Sequence, residues 1–193
     1  MIKLARKKCP YPEALNNGNY KHHLNKKALC DSSSDKCMYC ESKISHIDFA
    51  HVEHIKPKAE NKYPELEFEW SNLGYACPKC NSAKSHKYYD DLPYINPYED
   101  DPGEHIFAFG ALLFVRNGSE RAEVTIKDIG INRPELIEKR LAKLNDIQNS
   151  LNACHRTNNI VLREILLEEL KVESSEDKEY SLFVSSLLKA HSK

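Results

Sequence analysis

Two short cysteine motifs constrain this chain more than any other feature. Cys37-Met38-Tyr39-Cys40 comes first and Cys77-Pro78-Lys79-Cys80 second, a C-x2-C-x36-C-x2-C pattern. Two residues between cysteines let one tight turn aim both sulfurs at one ion, and two such turns complete a tetrahedron. Soft thiolates favour zinc. With all four positions filled by Cys37, Cys40, Cys77 and Cys80, the site is closed, so its role is structural. So short a unit has little core of its own, and metal binding should contribute much of its folding energy. The total of seven cysteines is odd, with Cys9, Cys30 and Cys154 scattered singly. That argues against a disulfide framework and for a reducing compartment.

The 193 residues suit one large domain or two small ones, and a hydrophobic share of 40% suffices for a core. No apolar run approaches a membrane span, and the first residues lack the apolar stretch of a secretion signal. A soluble, cytoplasmic protein is expected. Net charge is −1, but residues 1–90 carry 15 Lys+Arg against 11 Asp+Glu, whereas 91–193 carry 13 against 18. A basic half suits nucleic acid and an acidic half suits a protein partner.

Four regions follow. Residues 1–36 form a basic segment of helix and loop, with a short helix at 21–27 and a loop at 31–35. Residues 37–90 form the zinc-framed unit. Residues 91–130 form an extended strap, since Pro93, Pro97 and Pro102 oppose helix, then a β-hairpin of 111–116 and 121–127 around Asn117-Gly118. Residues 131–193 are helical, a candidate docking region for a partner. Asn132 reads as an N-cap before Pro134, and Leu136, Ile137, Leu141, Leu144, Ile147 and Leu151 recur at helical spacing. Further helices are expected at 159–171 and 177–190. The class is α+β.

Between the cysteine pairs lies His51-Val52-Glu53-His54-Ile55-Lys56-Pro57, then Asn72-Leu73, and Asn81-Ser82-Ala83-Lys84 follows the second pair. In this order the chain resembles the HNH endonucleases of the zinc-stapled type. The resemblance implies a ββα-metal core in which His54 is the general base and Glu53 the acidic ligand of a catalytic Mg²⁺ or Mn²⁺. It further implies that Asn72 ties the loop and Asn81 helps hold that metal. Glu53 departs from the commoner Asp. Histidine near neutral pKa can take a proton from water, and a hard cation suits oxygen ligands. Neighbouring strand residues face opposite ways, so Glu53 and His54 can share a site only with a local bulge or bend, which is expected there. Lys84, three residues after Asn81, could reach a phosphate. His51 is a candidate phosphate or supporting contact. His22 and His23 could touch a nucleic-acid backbone, and His46 and His86 are weaker candidates. Trp70, Phe68 and Cys154 read as core.

Beyond the motif, Cys37–Glu41, Glu53–Lys58, the strap Asn96-Pro97-Tyr98 through Pro102, and Thr125 through Arg133 resemble the PtuB branch, the HNH subunits of the Septu antiphage system, also found with retrons. That implies a DNA-cleaving effector restrained by a PtuA-like ATPase. Two alternatives remain open: an RNA- or tRNA-cleaving nuclease of the same chemistry, and a non-catalytic zinc module that binds nucleic acid or protein.

Overall fold

The computed structural model describes residues 1–44 and 49–191. Two short helices, α1 (Pro12–Asn16) and α2 (His23–Ser32), precede the unit framed by the two cysteine pairs. That unit is a two-stranded antiparallel sheet followed by a helix: β1 (His51–His54), β2 (Leu73–Ala76) and α3 (Pro78–Lys84). The strands pair without interruption from His51↔Ala76 to His54↔Leu73. The bulge expected at Glu53-His54 is therefore absent; the two side chains leave opposite faces of a regular strand. Helix α3 starts where it does because Cys77 caps it, its sulfur accepting from the Cys80 amide at 3.4 Å, with Pro78 in the first turn.

The first cysteine pair rides on β2: the Met38 amide donates to the Tyr75 carbonyl at 2.9 Å. Gly74 makes this possible, because a Cβ there would overlap the Met38 sulfur. Buried Leu29 of α2, Tyr39, Leu73 and Cys80 belong to the core of this unit.

Residues 90–101 contain no helix or strand. They are tied on one side to Leu4, whose amide donates to Pro97, and on the other to Thr125, whose hydroxyl accepts from the Ile95 amide. Pro102 opens the short helix α4 (Pro102–His105), with Asp101 as cap. A hairpin follows, but not the expected one. It is β3 (Ile106–Phe109) with β4 (Leu112–Val115), turning at Gly110, φ +55°. Residues 121–127 belong instead to helix α5 (Glu120–Ile129). The Ser119 hydroxyl caps it, Gly130 ends it in the left-handed conformation, and Ala122, Thr125 and Ile129 are buried at helical period. Asn117-Gly118 links strand to helix rather than strand to strand.

Helix α6 (Pro134–Arg156) is capped at Arg133, not Asn132. The Asn132 amide is occupied elsewhere, bonding both the amide and the carbonyl of Leu113 on β4. Leu136, Leu144, Ile147, Leu151 and Cys154 are buried along α6, whereas Leu141 is 46% exposed. Among the buried leucines sits Arg140, fully enclosed over the Phe183 ring at 4.2 Å. Helices α7 (Ile160–Val172) and α8 (Ser181–His191) complete the fold. Helix α8 starts four residues later than expected and docks on the first cysteine pair. Glu41 accepts from the Ser181 hydroxyl at 3.0 Å and from the Leu182 amide at 3.3 Å, and pairs with the Met1 ammonium. The Ser42 and Tyr180 hydroxyls meet at 2.9 Å. Among the described residues no helix is long and apolar enough to cross a membrane.

Candidate functional site

The four cysteine sulfurs converge. Sγ atoms of Cys37, Cys40, Cys77 and Cys80 all lie within 4.8 Å of one another, and Cys40 and Cys77 are 3.9 Å apart. Zn–S bonds of about 2.3 Å at tetrahedral angles put sulfurs roughly 3.8 Å apart, so the cluster fits zinc. Two arginines of the helical region face it. Arg133 Nη1 donates to Cys80 Sγ at 3.4 Å. Burial pulls the Arg133 guanidinium down, but Cys80, together with Cys40 and Cys77, more than offsets burial and holds it above the ordinary value. Arg140 lies close enough to feel Cys40 and Glu41, and its Nε and Nη2 find no hydrogen-bond partner among the described residues. Four thiolates around a divalent ion such as Zn²⁺ would leave two negative charges, which these guanidiniums are placed to oppose.

Beside the cluster, β1, α3 and the amino-terminal segment enclose an open cleft of about 530 Å³. His54, His51, Asn81, Lys58 and Tyr20 line it. His54 Nε2 lies 2.9 Å from the Glu67 carbonyl oxygen, which can only accept. Nε2 therefore carries the proton, and Nδ1 keeps the ring's free lone pair. The Tyr20 ring meets the imidazole edge-on, centroids 4.6 Å apart at 72°. Lys58 bonds the Tyr20 hydroxyl at 3.2 Å and pairs with Glu67. Burial lowers the His54 pKa, and the Glu67 carbonyl restores only part of that. A neutral imidazole with one free nitrogen is suited to accept a proton.

Asn72 is 6% exposed and clamps the loop after β1. Its Oδ1 accepts from the Lys56 amide at 2.7 Å, and its Nδ2 donates to the Lys56 and Leu66 carbonyls. This positions the stretch that leads to Glu67.

Glu53 and Lys84 do not sit as the sequence suggested. Both are enclosed, at 2% and 1% exposure, and their charges meet at 2.8 Å. Glu53 also accepts from the Tyr39 hydroxyl at 3.3 Å, and Lys84 donates to the His54 carbonyl at 2.8 Å. Burial raises the Glu53 pKa and Lys84 opposes it. Lys84 is thus an interior cation, not an exposed phosphate contact, because its ammonium is consumed by Glu53 and the strand backbone. Breaking a buried pair of this kind costs about 3–5 kcal/mol. Glu53 also lines a neighbouring open cavity together with His54, Asn81 and His86. Asn81 turns to His51, Nδ2 to Nδ1 2.7 Å. The donor pair expected for a catalytic Mg²⁺ or Mn²⁺, Glu53 with Asn81, thus lines one cavity with His54, with Glu53 bonded to Lys84 and Asn81 to His51. Among the described residues the cysteines are the one group of three or more His, Cys, Asp or Glu placed to share an ion.

His86 is exposed beside Ser85, and His22 stacks between Tyr11 and His23. Trp70 packs as expected, its indole donating to the Lys7 carbonyl, and Cys154 is core. Phe68 is 38% exposed, its ring 6.2 Å from that of Tyr20. His46 lies outside the described residues. Sequence reasoning missed Tyr20, Lys58, Arg133 and Arg140. Tyr20 and Lys58 carry no spacing signal; Arg140 carried one, as a charge midway between Leu136 and Leu144 in an apolar stripe.

Residues 37–87 match the family model of the HNH endonucleases. A Septu protein PtuB from Bacillus thuringiensis is 30% identical, covering 91% of this chain and 73% of its own length. A second Septu protein PtuB, from Bacillus mycoides (strain KBAB4), is 29% identical over 67% of this chain and 54% of its own length. A retron Vc95 chain from Vibrio cholerae serotype O1 biovar El Tor, itself named for an HNH endonuclease, is 33% identical over 52% of this chain and 53% of its own. The chain thus spans about half the length of these last two relatives. With the four-cysteine cluster, the ββα unit and a match of this extent in place, the chain belongs to the PtuB family of Septu proteins and carries an HNH endonuclease domain.

Proposed function

We propose that this chain hydrolyses phosphodiester bonds in DNA as the nuclease subunit of an antiphage defence complex with a PtuA-like ATPase. The observation that carries the chemistry is His54: its Nε2–H is committed to the Glu67 carbonyl, so Nδ1 is the acceptor. In this reading Nδ1 takes a proton from water, the water oxygen bonds to phosphorus, and the bond to the leaving sugar oxygen breaks. Tyr20 and Asn72 fix the ring and its supporting loop. Lys21, Lys26 and Lys58 give the cleft positive charge for the backbone. A divalent cation, Mg²⁺ or Mn²⁺, would neutralise charge on the phosphate.

The Septu name of two relatives supports the defence role and the partner. An exposed apolar row on α7, Ile160 at 61%, Val161 at 66% and Ile165 at 51%, is the surface we assign to that partner. Activity is expected to be weak in the isolated chain and released in the complex.

The test is plasmid cleavage with Mg²⁺ or Mn²⁺, by the chain alone and with the ATPase. His54→Ala is expected to lower cleavage by about 10²–10⁴-fold. Equal cleavage by wild type and His54→Ala sinks the reading, as does robust cleavage of RNA with DNA left intact.

A further inference from the structure

Two cavities meet at His54. The lysine-lined cleft lies on one side, and a second open cavity of about 300 Å³ on the other. His54, Lys58, Asn81 and Ser85 line both, so they form the divide. In-line displacement at phosphorus puts the entering water and the leaving oxygen on opposite sides. A phosphodiester on the divide is therefore served best by a proton acceptor on one side and a proton donor on the other. His54 Nδ1 is the acceptor, and the leaving oxygen still requires a proton.

Beyond the divide the second cavity is lined by Glu53, Pro57, Ala59 and His86. Glu53, paired with Lys84, accepts rather than donates. His86 can donate. It is exposed, its Nδ1 lies 3.2 Å from the Ser85 hydroxyl oxygen, and among the described residues no hydrogen bond engages its Nε2. A strained turn carries it there. Ser85 ends α3 at φ +50° and ψ −131°, a conformation that favours glycine, and the Lys87 amide closes the turn on the Lys84 carbonyl at 3.0 Å.

We propose that His86 is the general acid that protonates the leaving sugar oxygen. This rests on the endonuclease reading of His54. As an imidazolium, His86 rests its Nδ1–H on the Ser85 hydroxyl oxygen and offers Nε2–H to the substrate. The water oxygen bonds to phosphorus and its proton passes to His54. The bond from phosphorus to the sugar oxygen breaks, and that oxygen takes the His86 proton. Exchange with solvent then removes the proton from His54 and restores the one on His86.

The test replaces the leaving sugar oxygen by sulfur, in an oligonucleotide whose cleavage position is known from the ends the wild type leaves. A thiolate departs without needing a proton. The zinc-loaded full chain, together with the proposed ATPase, is assayed on both substrates with Mn²⁺ under single-turnover conditions. His86→Ala is expected to lose about 10²–10⁴-fold in rate on the oxygen substrate. On the sulfur substrate it should approach the wild-type rate, with unchanged oligonucleotide affinity by fluorescence anisotropy. His54→Ala, which removes the base, should stay slow on both. An equal loss by His86→Ala on the two substrates overturns the proposal, as does unchanged cleavage. A loss confined to affinity overturns it too, by making His86 a phosphate contact. Circular dichroism and metal content should match wild type, because His86 is exposed. Cleavage by wild type without sulfur rescue of His86→Ala removes this role and leaves the nuclease reading standing. A wild type that cleaves neither substrate removes both.

Discussion

His54 owes its chemistry to a backbone group. A side-chain partner could be protonated or mutated away; the Glu67 carbonyl cannot, and it holds the neutral ring in one tautomer while the loop is intact. Burial lowers the His54 pKa, so the protonated form, which could not act in the proposed reaction, is lost at a lower pH than for a free histidine. The acidic limb of kcat/KM is therefore expected below the ordinary value of about 6.5, with activity rising as pH rises through it. A limb above that value in the pH–rate profile contradicts the burial argument. The Glu53–Lys84 pair gives a stability test at the same scale. Lys84→Met strands a buried carboxylate and should cost about 3–5 kcal/mol in denaturant unfolding, while Glu53→Gln/Lys84→Met should recover most of it. At this scale the sequence was legible in part. The cysteines announce themselves by spacing, and His54 stands out only through the motif order that resembles the HNH endonucleases. The fate of Glu53 did not, because its face of β1 depends on which residue of α3 it finds, and Lys84 carries no sign of being interior.

At the scale of elements, local chemistry overrode a plausible pattern. Residues 121–127 alternate apolar and polar as a strand would, yet Ser119 and Gly130 frame them as a helix. Ser119→Ala should cost about 1 kcal/mol, seen as a lower unfolding midpoint, with zinc content unchanged. The hairpin was displaced rather than absent, because Gly110 with φ +55° supplies the turn that Asn117-Gly118 seemed to offer. Helix α7 fell within a residue or two of its expected bounds, its start fixed by the Asn159 side chain accepting from the Leu162 amide, but its exposed row could not be foreseen without knowing what α6 and α8 cover. Ile165→Glu is expected to abolish co-purification with the proposed PtuA-like ATPase while leaving metal content and circular dichroism intact. Retained co-purification would remove α7 from the interface.

The whole molecule is organised around the thiolate cluster. Its cations come from α6, and its first cysteine pair is covered by α8, so a region that sequence marked off as a separate helical tail is part of the metal's surroundings. Arg133→Gln should speed zinc transfer to a chelating dye by roughly 10–100-fold, and Arg133→Lys should restore part of the difference. No change in the release rate would show that the guanidinium is ornamental to the site. Glu41 extends the same connection across the chain. Its α8 partners, Ser181 and Leu182, lie 140 and 141 residues further on. A ribosome adding about 5–20 residues per second needs on the order of ten seconds to deliver them. Throughout that interval the first cysteine pair lacks its α8 cover, and the nascent chain cannot yet present a finished cleft. Maturation of the nuclease is therefore expected to wait for the last helix, a delay readable as protease sensitivity of ribosome-bound chains stalled before and after α8 has emerged.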